Sequence, residues 1–499
     1  MIELDGTLTI ADVIAVARNN EPVRVTSDAV TTMQASRDAV KEIVDSDERH
    51  VYGVNTGLGD LQNVSVSREQ LRQMQQNIIE SHAASVGDPA STEVVRAAML
   101  VRANALAIGV SGVRPALVEQ YCALLNAGVH PQVPLGGSSD DLAAAAHIAL
   151  VLTGKGEAEV AGEIREGSTA LKTVDISPLQ FEPKEGLASI SGTPIMTAML
   201  ALAIHDAATL VRAADVIGAL SFSLLGDASE TFSERVFSVR AHDPHAISAS
   251  NIRSLLGEST EQSLRMKQDP LSLRVIPQVH GTVRRHIDFA RTVVENELQS
   301  ASDNPLVFPD GETYSCGAFN GQSIASAADT LSSVLTKLGS ISESRTRQLL
   351  DGEESDDVAS FLTVRPGAES GLMIAQYTAA GLLAESIIDG SISDHSITVS
   401  SGQEDIHSMG TIATRTLHQL LTKVQHILAI ELLCTIRRAQ LTSDPPLSDS
   451  LQTVIDYVEQ SIDFPREDTQ LSDVIDTTAD SIMNGDIQTA IAQTDVQLE

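Results

Sequence analysis

The sequence has little positive charge, few aromatic residues and no tryptophan. Its 499 residues include 33 Lys and Arg against 67 Asp and Glu, and only seven of the 33 are lysines. The formal net charge of −34 repels phosphate groups, so we expect neither nucleic acid nor a membrane surface as a partner. Abundant carboxylates with arginine in place of lysine are typical of halophilic proteins, whose salt-rich cytoplasm screens the repulsion between like charges. An ordinary acidic protein is the alternative interpretation of this composition.

Cysteine and long apolar runs are also scarce. Cys122, Cys316 and Cys434 lie far apart in the sequence and form no C-x-x-C pair. This spacing predicts neither a disulfide framework nor a zinc site, and no other cluster has the spacing of metal ligands. The first ten residues lack the features of a signal peptide, and the most apolar stretch, residues 195–204, stops at His205 after ten residues. We therefore expect a soluble cytoplasmic protein.

Long segments with helical periodicity are the main feature that the sequence does have. Hydrophobic residues make up 42% of the chain, which is enough to bury a large core. The predicted long helices are residues 193–225, 323–350, 372–388 and 409–441. Pro194 suits a first helical turn, Gly226 suits a C-terminal cap, and the alternation typical of strands is weak. The pattern predicts a mainly α fold built on a long-helix bundle.

Seven short blocks, most of them at polar junctions between these helices, carry further information. In chain order they are Tyr52-Gly53-Val54-Asn55-Thr56-Gly57, Ser81-His82-Ala83-Ala84, Val101-Arg102-Ala103-Asn104-Ala105-Leu106, Lys184-Glu185-Gly186-Leu187-Ala188, Gln268-Asp269-Pro270, Ser302-Asp303-Asn304-Pro305-Leu306 and Gln403-Glu404-Asp405. In these residues and in this order the chain resembles the histidine and aromatic amino acid ammonia-lyases. The resemblance covers nearly the whole chain, and seven ordered blocks are more specific than any single motif.

The resemblance implies a fumarase/aspartase-like long-helix bundle with a smaller N-terminal helical region that carries the active-site loop. It implies one catalytic unit over residues 1–499, with an active-site region at about 1–190, a central helical bundle at 191–441 and a C-terminal helical region at 442–499. The implied assembly is a homotetramer whose active sites draw on several subunits. We expect Asp303 in its Asp-Asn-Pro turn to be mainly architectural.

The sequence departs from the family where the resemblance implies an electrophile. The family makes methylidene-imidazolone (MIO) from Ala-Ser-Gly, in which the Gly nitrogen attacks the Ala carbonyl carbon, and a residue without a side chain allows this approach. The matching residues are Ser138, Ser139 and Asp140: Ser139 keeps the dehydrated catalytic position, but Asp140 adds a Cβ and a charge. Ser191 and Leu271 replace the family's Asn and Tyr beside the electrophile. We therefore expect no bound cofactor and no MIO from Ser138-Ser139-Asp140. The alternative role of these residues is a helix N-cap.

The substrate side of the implied site is retained. Tyr52 matches the family's loop tyrosine that acts as base, a role that needs positive surroundings because a free tyrosine has a pKa of about 10. Arg274 matches the arginine that binds the substrate carboxylate through its planar guanidinium. The other implied substrate-binding residues are His82 and Glu404 at the imidazole end of the pocket, Gln268 beside Arg274, Ser191 near the electrophile and Phe319 in the pocket wall.

These residues predict a carbon–nitrogen lyase that eliminates the α-amino group of histidine or a histidine-like substrate and leaves a urocanate-like acid. One alternative is an MIO-independent lyase that releases trimethylamine from a histidine betaine such as ergothioneine. The resemblance implies an active-site lysine in such enzymes, and residues 372–388 contain none. Another alternative is a catalytically silent assembly subunit, although the retained Tyr52 and Arg274 argue against it. A fumarase- or aspartase-type lyase shares the implied fold but lacks these blocks.

Overall fold

The computed structural model describes residues 1–46, 49–257, 268–352, 358–388 and 390–499, most of which lie in α-helices. In chain order these helices are α1 (Ile10–Asn19), α2 (Ser27–Asp45), α3 (Leu71–His82), α4 (Thr92–Ala107), α5 (Pro115–Ala127), α6 (Leu142–Leu152), α7 (Gly167–Thr173), α8 (Glu185–Ile190), α9 (Pro194–Leu225), α10 (Glu234–Phe237), α11 (Asp243–Leu256), α12 (Leu271–Arg274), α13 (Ile276–Leu298), α14 (Gln322–Leu349), α15 (Met373–Ile388), α16 (Gly410–Leu441), α17 (Asp449–Ser461), α18 (Leu471–Met483) and α19 (Asp486–Ile491). The prediction of a mainly α fold with long helices is confirmed.

Short strands and 3-10 helices lie in the connections. The strands are β1 (Ile2–Leu4), β2 (Val23–Val25), β3 (Val86–Pro89), β4 (Val129–Pro131), β5 (Pro134–Gly136), β6 (Glu157–Val160), β7 (Glu163–Glu166), β8 (Leu306–Val307) and β9 (Thr313–Tyr314). β1 pairs with β2 in parallel, whereas β3 with β5, β4 with β6, β6 with β7 and β8 with β9 are antiparallel. The 3-10 helices are Gly59–Leu61, Arg68–Gln70, Ser229–Phe232, Ser360–Leu362 and Ser400–Gly402.

The long helices begin and end within one residue of their predicted positions. α9 begins at Pro194, and the amide of Gly226 donates to the Phe222 carbonyl oxygen at 2.7 Å directly after its last residue. This agreement follows from local chemistry, because proline fits the first turn and glycine tolerates the conformation after the last turn.

Among the described residues, two helical stretches are long and apolar enough to cross a membrane by length and composition. They are Glu185–Leu225, which contains α8 and α9, and Gly410–Leu441, which is α16. The most apolar window of the first is 100% buried inside the structure and that of the second is 72% buried. Such burial is typical of core helices, because a membrane-spanning helix presents its apolar side chains to lipid.

The described chain divides into two compact units, each assembled from three separate segments. The first unit contains residues 1–203, 290–329 and 391–416, and the second contains residues 204–289, 330–390 and 417–499. The first unit includes the predicted active-site loop and the Ser138–Asp140 segment. The division of the chain into three consecutive regions stays a prediction.

The second unit has a buried network of charged side chains. The Asp215 carboxylate lies 2.7 Å from His280 Nδ1 and accepts from Arg284 Nη2 at 2.7 Å. Burial opposes its ionisation, but the hydrogen bond and charges of these two partners hold the pKa of Asp215 below its ordinary value. Arg345 and Glu431 form a second fully buried pair, with Nε 2.6 Å from Oε1. Buried charges of opposite sign compensate each other, so we read this network as architecture.

Candidate functional site

The segment that matches the MIO triad lies between β5 and α6. Gly137 turns the chain with a φ of +82°, a conformation that glycine adopts without strain. The buried Ser138 hydroxyl lies 2.7 Å from the Ser85 hydroxyl. The Ser139 carbonyl oxygen accepts from the amide of Thr411 at 3.2 Å. The triad segment is therefore held at its first residue by a side chain and at its second by the backbone.

Asp141 caps a helix other than the one it precedes. Its buried carboxylate accepts from the amide of Ile195 at 2.5 Å, from the amide of Met196 at 3.2 Å and from the Thr411 hydroxyl at 2.7 Å. These amides belong to the first turn of α9, whose free N–H groups attract a carboxylate. Burial nevertheless raises the pKa of Asp141 to about 7, against the opposing effect of these hydrogen bonds.

The helix-cap interpretation of Ser-Ser-Asp-Asp is corrected by this geometry. The residue at the N-cap position of α6 is Asp141, and its side chain makes no capping bond to that helix. Its carboxylate serves α9 instead, because a buried carboxylate is best satisfied by several donors at once.

Asp140 is anchored by two side chains from the loop before α16. Its Oδ2 lies 2.7 Å from Nδ1 of His407, and its Oδ1 accepts from the Ser408 hydroxyl. The Asp140 and His407 side chains are 26% and 15% exposed, so the pair is largely shielded from water. The backbone amide of His407 donates to the Ser396 hydroxyl at 2.8 Å, which fixes the loop itself.

His407 also points toward Glu404. Its Nε2 lies 4.0 Å from Oε2 of Glu404, and this buried nitrogen makes no hydrogen bond within the described residues. The sequence analysis did not identify His407. The signal that the sequence offered was the position of His407, three residues after Glu404. This signal was insufficient because the contact between His407 and Asp140 spans 267 residues of the sequence.

Tyr52 lies in electrostatic reach of Glu404. The Tyr52 hydroxyl accepts from the amide of Gly59 at 3.1 Å. A Cβ added at Gly59 would lie 2.5 Å from the Ser400 hydroxyl oxygen, so the loop of Tyr52 packs closely on the loop that leads to Glu404. Burial raises the pKa of Tyr52 and the Glu404 charge raises it further, while the Gly59 bond acts in the opposite direction. The charged side chain that acts on Tyr52 is thus negative, and the positive surroundings expected for a basic tyrosine stay a prediction.

Ser191 is buried at the end of α8, on a rigid support. At the start of that helix Lys184 Nζ lies 2.7 Å from Asp303 Oδ2, and both side chains are almost fully buried. Burial lowers the pKa of Lys184, and Asp303 opposes this change. After Ser191, a Cβ at Gly192 would lie 2.3 Å from the Ser302 carbonyl oxygen. These contacts support the architectural role expected for Asp303.

His82 and Phe319 belong to the same unit as Tyr52. His82 is the last residue of α3, and its Nδ1 lies 2.7 Å from the carbonyl oxygen of Ile78 in the preceding turn. Phe319 lies before α14 and is 40% exposed. Their roles in substrate binding stay predictions.

Gln268 and Arg274 belong to the second unit. Arg274 ends the short helix α12, and its Nε donates to the backbone carbonyl oxygen of Asp269 at 2.8 Å. Leu271, at the position of the family tyrosine, is 64% exposed, and Gln268 is exposed as well. The role of Arg274 in binding a carboxylate stays a prediction.

No group of three or more His, Cys, Asp or Glu side chains that could hold a metal ion occurs within the described parts of the chain. Side chains capable of acid–base chemistry do occur near one another in the first unit, namely Asp140, His407, Glu404 and Tyr52.

A family model described as aromatic amino acid lyase matches residues 8–460. The chain belongs to the aromatic amino acid lyase family. Several similar proteins bear the name histidine ammonia-lyase. Histidine ammonia-lyase 2 of Fusobacterium nucleatum is 39% identical over 97% of this chain and 96% of its own length. The histidine ammonia-lyase of Symbiobacterium thermophilum is 39% identical over 98% of each chain.

Solved structures of aromatic amino acid lyase relatives have the same fold. Tyrosine aminomutase from Streptomyces globisporus has a TM-score of 0.94 at 32% identity and covers 100% of both chains. Histidine ammonia-lyase from Trypanosoma cruzi has a TM-score of 0.91 at 32% identity and covers 98% of this chain and 95% of that one. Ergothionase from Treponema denticola has a TM-score of 0.91 at 25% identity and covers 97% of this chain and 99% of that one. These matches confirm the predicted long-helix fold of the family.

Proposed function

We propose that this member of the aromatic amino acid lyase family is a carbon–nitrogen lyase that eliminates the α-amino group of histidine or a histidine-like substrate. The product is a urocanate-like unsaturated acid. The observation that carries the proposal is full-length similarity, at 39% identity, to proteins named histidine ammonia-lyase. The proximity of Tyr52 to Glu404 adds support, since these are the predicted base and a predicted partner of the substrate imidazole.

In this proposal one group binds the substrate carboxylate and another binds its imidazole. Arg274 binds the substrate carboxylate, because its guanidinium presents paired donors in one plane. Tyr52 takes the β-proton from the substrate. The remaining binding residues are His82, Ser191, Gln268, Phe319 and Glu404.

We further propose that the reaction proceeds without MIO, although the family normally depends on it. Ring closure requires the nitrogen of residue 140 to reach the carbonyl carbon of residue 138. The Asp140 side chain is anchored to His407 and Ser408, which opposes the movement of its backbone toward Ser138. Residues 138–140 therefore do not fit the prosthetic group, and we derive no step through it.

A histidine betaine is the second candidate substrate, and the anchored Asp140 is the observation that favours it. A quaternary ammonium leaves as a neutral tertiary amine, so its departure needs no electrophile. The fold similarity to ergothionase is compatible with this chemistry. In both candidate reactions the Cβ–H bond breaks, its electron pair forms the Cα=Cβ bond, and the amine leaves with the electrons of the Cα–N bond.

The assembly and location belong to the proposal as well. We propose a homotetramer in the cytoplasm, with small-molecule substrates as its partners. Size-exclusion chromatography with light scattering tests the assembly. A monomeric, active protein contradicts it.

The substrate is tested by incubation of the purified protein with histidine and, separately, with ergothioneine and trimethylhistidine. The assays should contain concentrated potassium chloride, because a net charge of −34 requires screening. Mass spectrometry then measures urocanate-like products together with ammonia or trimethylamine. Glu404→Gln is the site variant, and Glu42→Gln, at an exposed position on α2, is its matched control.

We expect amine release from at least one substrate, a reduced rate in Glu404→Gln and an unchanged rate in Glu42→Gln. Ammonia from histidine supports the first candidate, whereas trimethylamine supports the second. No amine release from any of the three compounds contradicts the lyase proposal and favours a silent assembly subunit.

A further inference from the structure

Asp140 and His407 form a carboxylate–imidazole pair at the position where the family resemblance implies a glycine. The 2.7 Å contact joins Asp140 Oδ2 to His407 Nδ1. In a neutral imidazole one ring nitrogen donates and the other accepts. Because a carboxylate accepts hydrogen bonds, this contact places the proton on Nδ1 and leaves a lone pair on Nε2.

The Nε2 lone pair lies in a shielded place without a partner among the described residues. Nε2 is 4.0 Å from Oε2 of Glu404. At this distance a proton can pass between the two atoms only if they move closer or if another molecule lies between them. A buried acceptor that is left unpaired costs free energy. Such a group is typical of a site where a proton or a ligand arrives during function.

Glu404 acts electrostatically on Tyr52, and its Oε2 lies 4.0 Å from Nε2 of His407. Burial and the Glu404 charge both raise the pKa of Tyr52, so its hydroxyl retains its proton at neutral pH. A tyrosine that must accept a β-proton first has to lose its own proton. Nε2 of His407 is the ring nitrogen that the described residues place beside Glu404.

We propose that His407 is the terminal proton acceptor of the lyase site and that Asp140 is its positioning residue. This inference rests on the proposed function. In the first step the Tyr52 hydroxyl proton passes by way of Glu404 to Nε2, which produces a tyrosinate and an imidazolium. In the second step the tyrosinate takes the β-proton, the Cβ–H electrons form the double bond, and the amine leaves. The imidazolium then returns its proton to solvent.

The charges around His407 favour the imidazolium that this transfer forms. Asp140 comes from the segment before α6, and Glu404 comes from the same loop as His407. Both are carboxylates, so they stabilise the imidazolium that forms. In this proposal Asp140, which replaces the family's glycine, supports elimination because it positions a proton acceptor.

The test compares His407→Gln with His426→Gln. His426 is a matched control in the second unit, where its Nε2 lies 3.0 Å from Oδ1 of Asp476. We expect a loss in kcat of about 100-fold or more for His407→Gln, since proton transfer by a positioned group contributes that much. Its KM should change less than about threefold. His426→Gln should keep the wild-type kcat.

The pH profile separates proton transfer from a structural effect. Wild-type kcat should fall at acidic pH, because a protonated His407 cannot accept a proton, and His407→Gln should lack this limb. Asp140→Asn should lower kcat by at least about tenfold with little change in KM, because the carboxylate that positions His407 is lost. If His407→Gln fails to fold, Asp140→Asn carries the test alone.

The outcomes also distinguish the two proposals. If the wild type releases amine and His407→Gln retains both its kcat and its acidic limb, the His407 inference is wrong and the lyase proposal stands. If the wild type releases no amine, the proposed function fails and the inference fails with it. An unchanged kcat in a folded Asp140→Asn variant removes Asp140 from the positioning role.

Discussion

The carboxylate of Asp141 accepts the backbone amide of Ile195 at 2.5 Å, so the residue after the altered triad fixes the start of α9. The same carboxylate accepts the Thr411 hydroxyl, which lies in the first turn of α16. One side chain thus joins the triad segment to the beginnings of two long helices. This relationship ties the geometry of the site to the stability of the fold.

The first prediction concerns the stability of Asp141→Asn as a function of pH. Burial raises the pKa of Asp141 from 3.8 to about 7 in the folded state. Between these values the folded state holds a proton that the unfolded state has lost, so this contribution to stability decreases as pH rises. From pH 4 to pH 7 we expect the free energy of unfolding of Asp141→Asn to increase relative to that of the wild type, by on the order of 4 kcal/mol.

Urea unfolding at several pH values in concentrated salt measures this difference. Asp473→Asn, an exposed position in the first turn of α18, is the control and should show no comparable trend. A wild-type advantage that grows with pH would mean that Asp141 is ionised in the folded state.

The second prediction concerns the hydroxyl of Tyr52. Tyr52→Phe should lower kcat by at least about 100-fold, because the group that takes the β-proton is lost. Its Tm should remain close to that of the wild type, since the bond that the hydroxyl makes within the described residues is the one it accepts from the Gly59 amide. Tyr457→Phe on α17 is the matched control. Near-normal turnover in Tyr52→Phe would show that Tyr52 is not the base.

The third prediction concerns Arg274→Lys. We expect a higher KM, because an ammonium group cannot reproduce the paired donors that a guanidinium offers to a carboxylate. Steady-state kinetics on the substrate identified by amine release measures this change. Arg253→Lys on α11 provides a control of the same chemistry. An unchanged KM would remove Arg274 from the role of carboxylate binding.

The long helices could be predicted from the sequence because their signals are local. Helix ends are marked by Pro194, Gly226 and the proline pair at 445–446, because these residue types start or stop helices in most sequences. The apolar periodicity within the predicted segments is that of a helix. The family blocks likewise predicted Tyr52 and Glu404 in one site; the Glu404 charge acts on Tyr52, and the roles of both residues stay predictions.

The role of Asp140 could not be predicted in full, because its partner is remote in sequence. The sequence indicated that a Cβ and a charge replace a glycine at this position. It gave no sign that the Asp140 carboxylate would contact His407, which lies 267 residues away in the sequence. The helix-cap interpretation failed for the same reason, since the donors for Asp141 come from residues 195 and 196 rather than from the next helix.

The fourth prediction concerns Ser139→Ala. We expect this variant to retain at least a tenth of the wild-type activity, a barrier change below about 1.4 kcal/mol. The backbone carbonyl oxygen of Ser139 accepts a hydrogen bond from the amide of Thr411, and an alanine at this position keeps that bond. A loss of several orders of magnitude in a folded variant would mean that Ser139 is converted to MIO and that the enzyme works as a conventional family member.

The most direct test of an MIO-free site is the mass of the peptide that contains Ser138-Ser139-Asp140, measured on protein purified in its folded state. The account predicts the full mass of the unmodified peptide, because Asp140 is anchored to His407 and Ser408 and does not close a ring. A peptide lighter by two water molecules would contradict the account. It would show that the Asp140 nitrogen reaches the Ser138 carbonyl carbon despite these contacts.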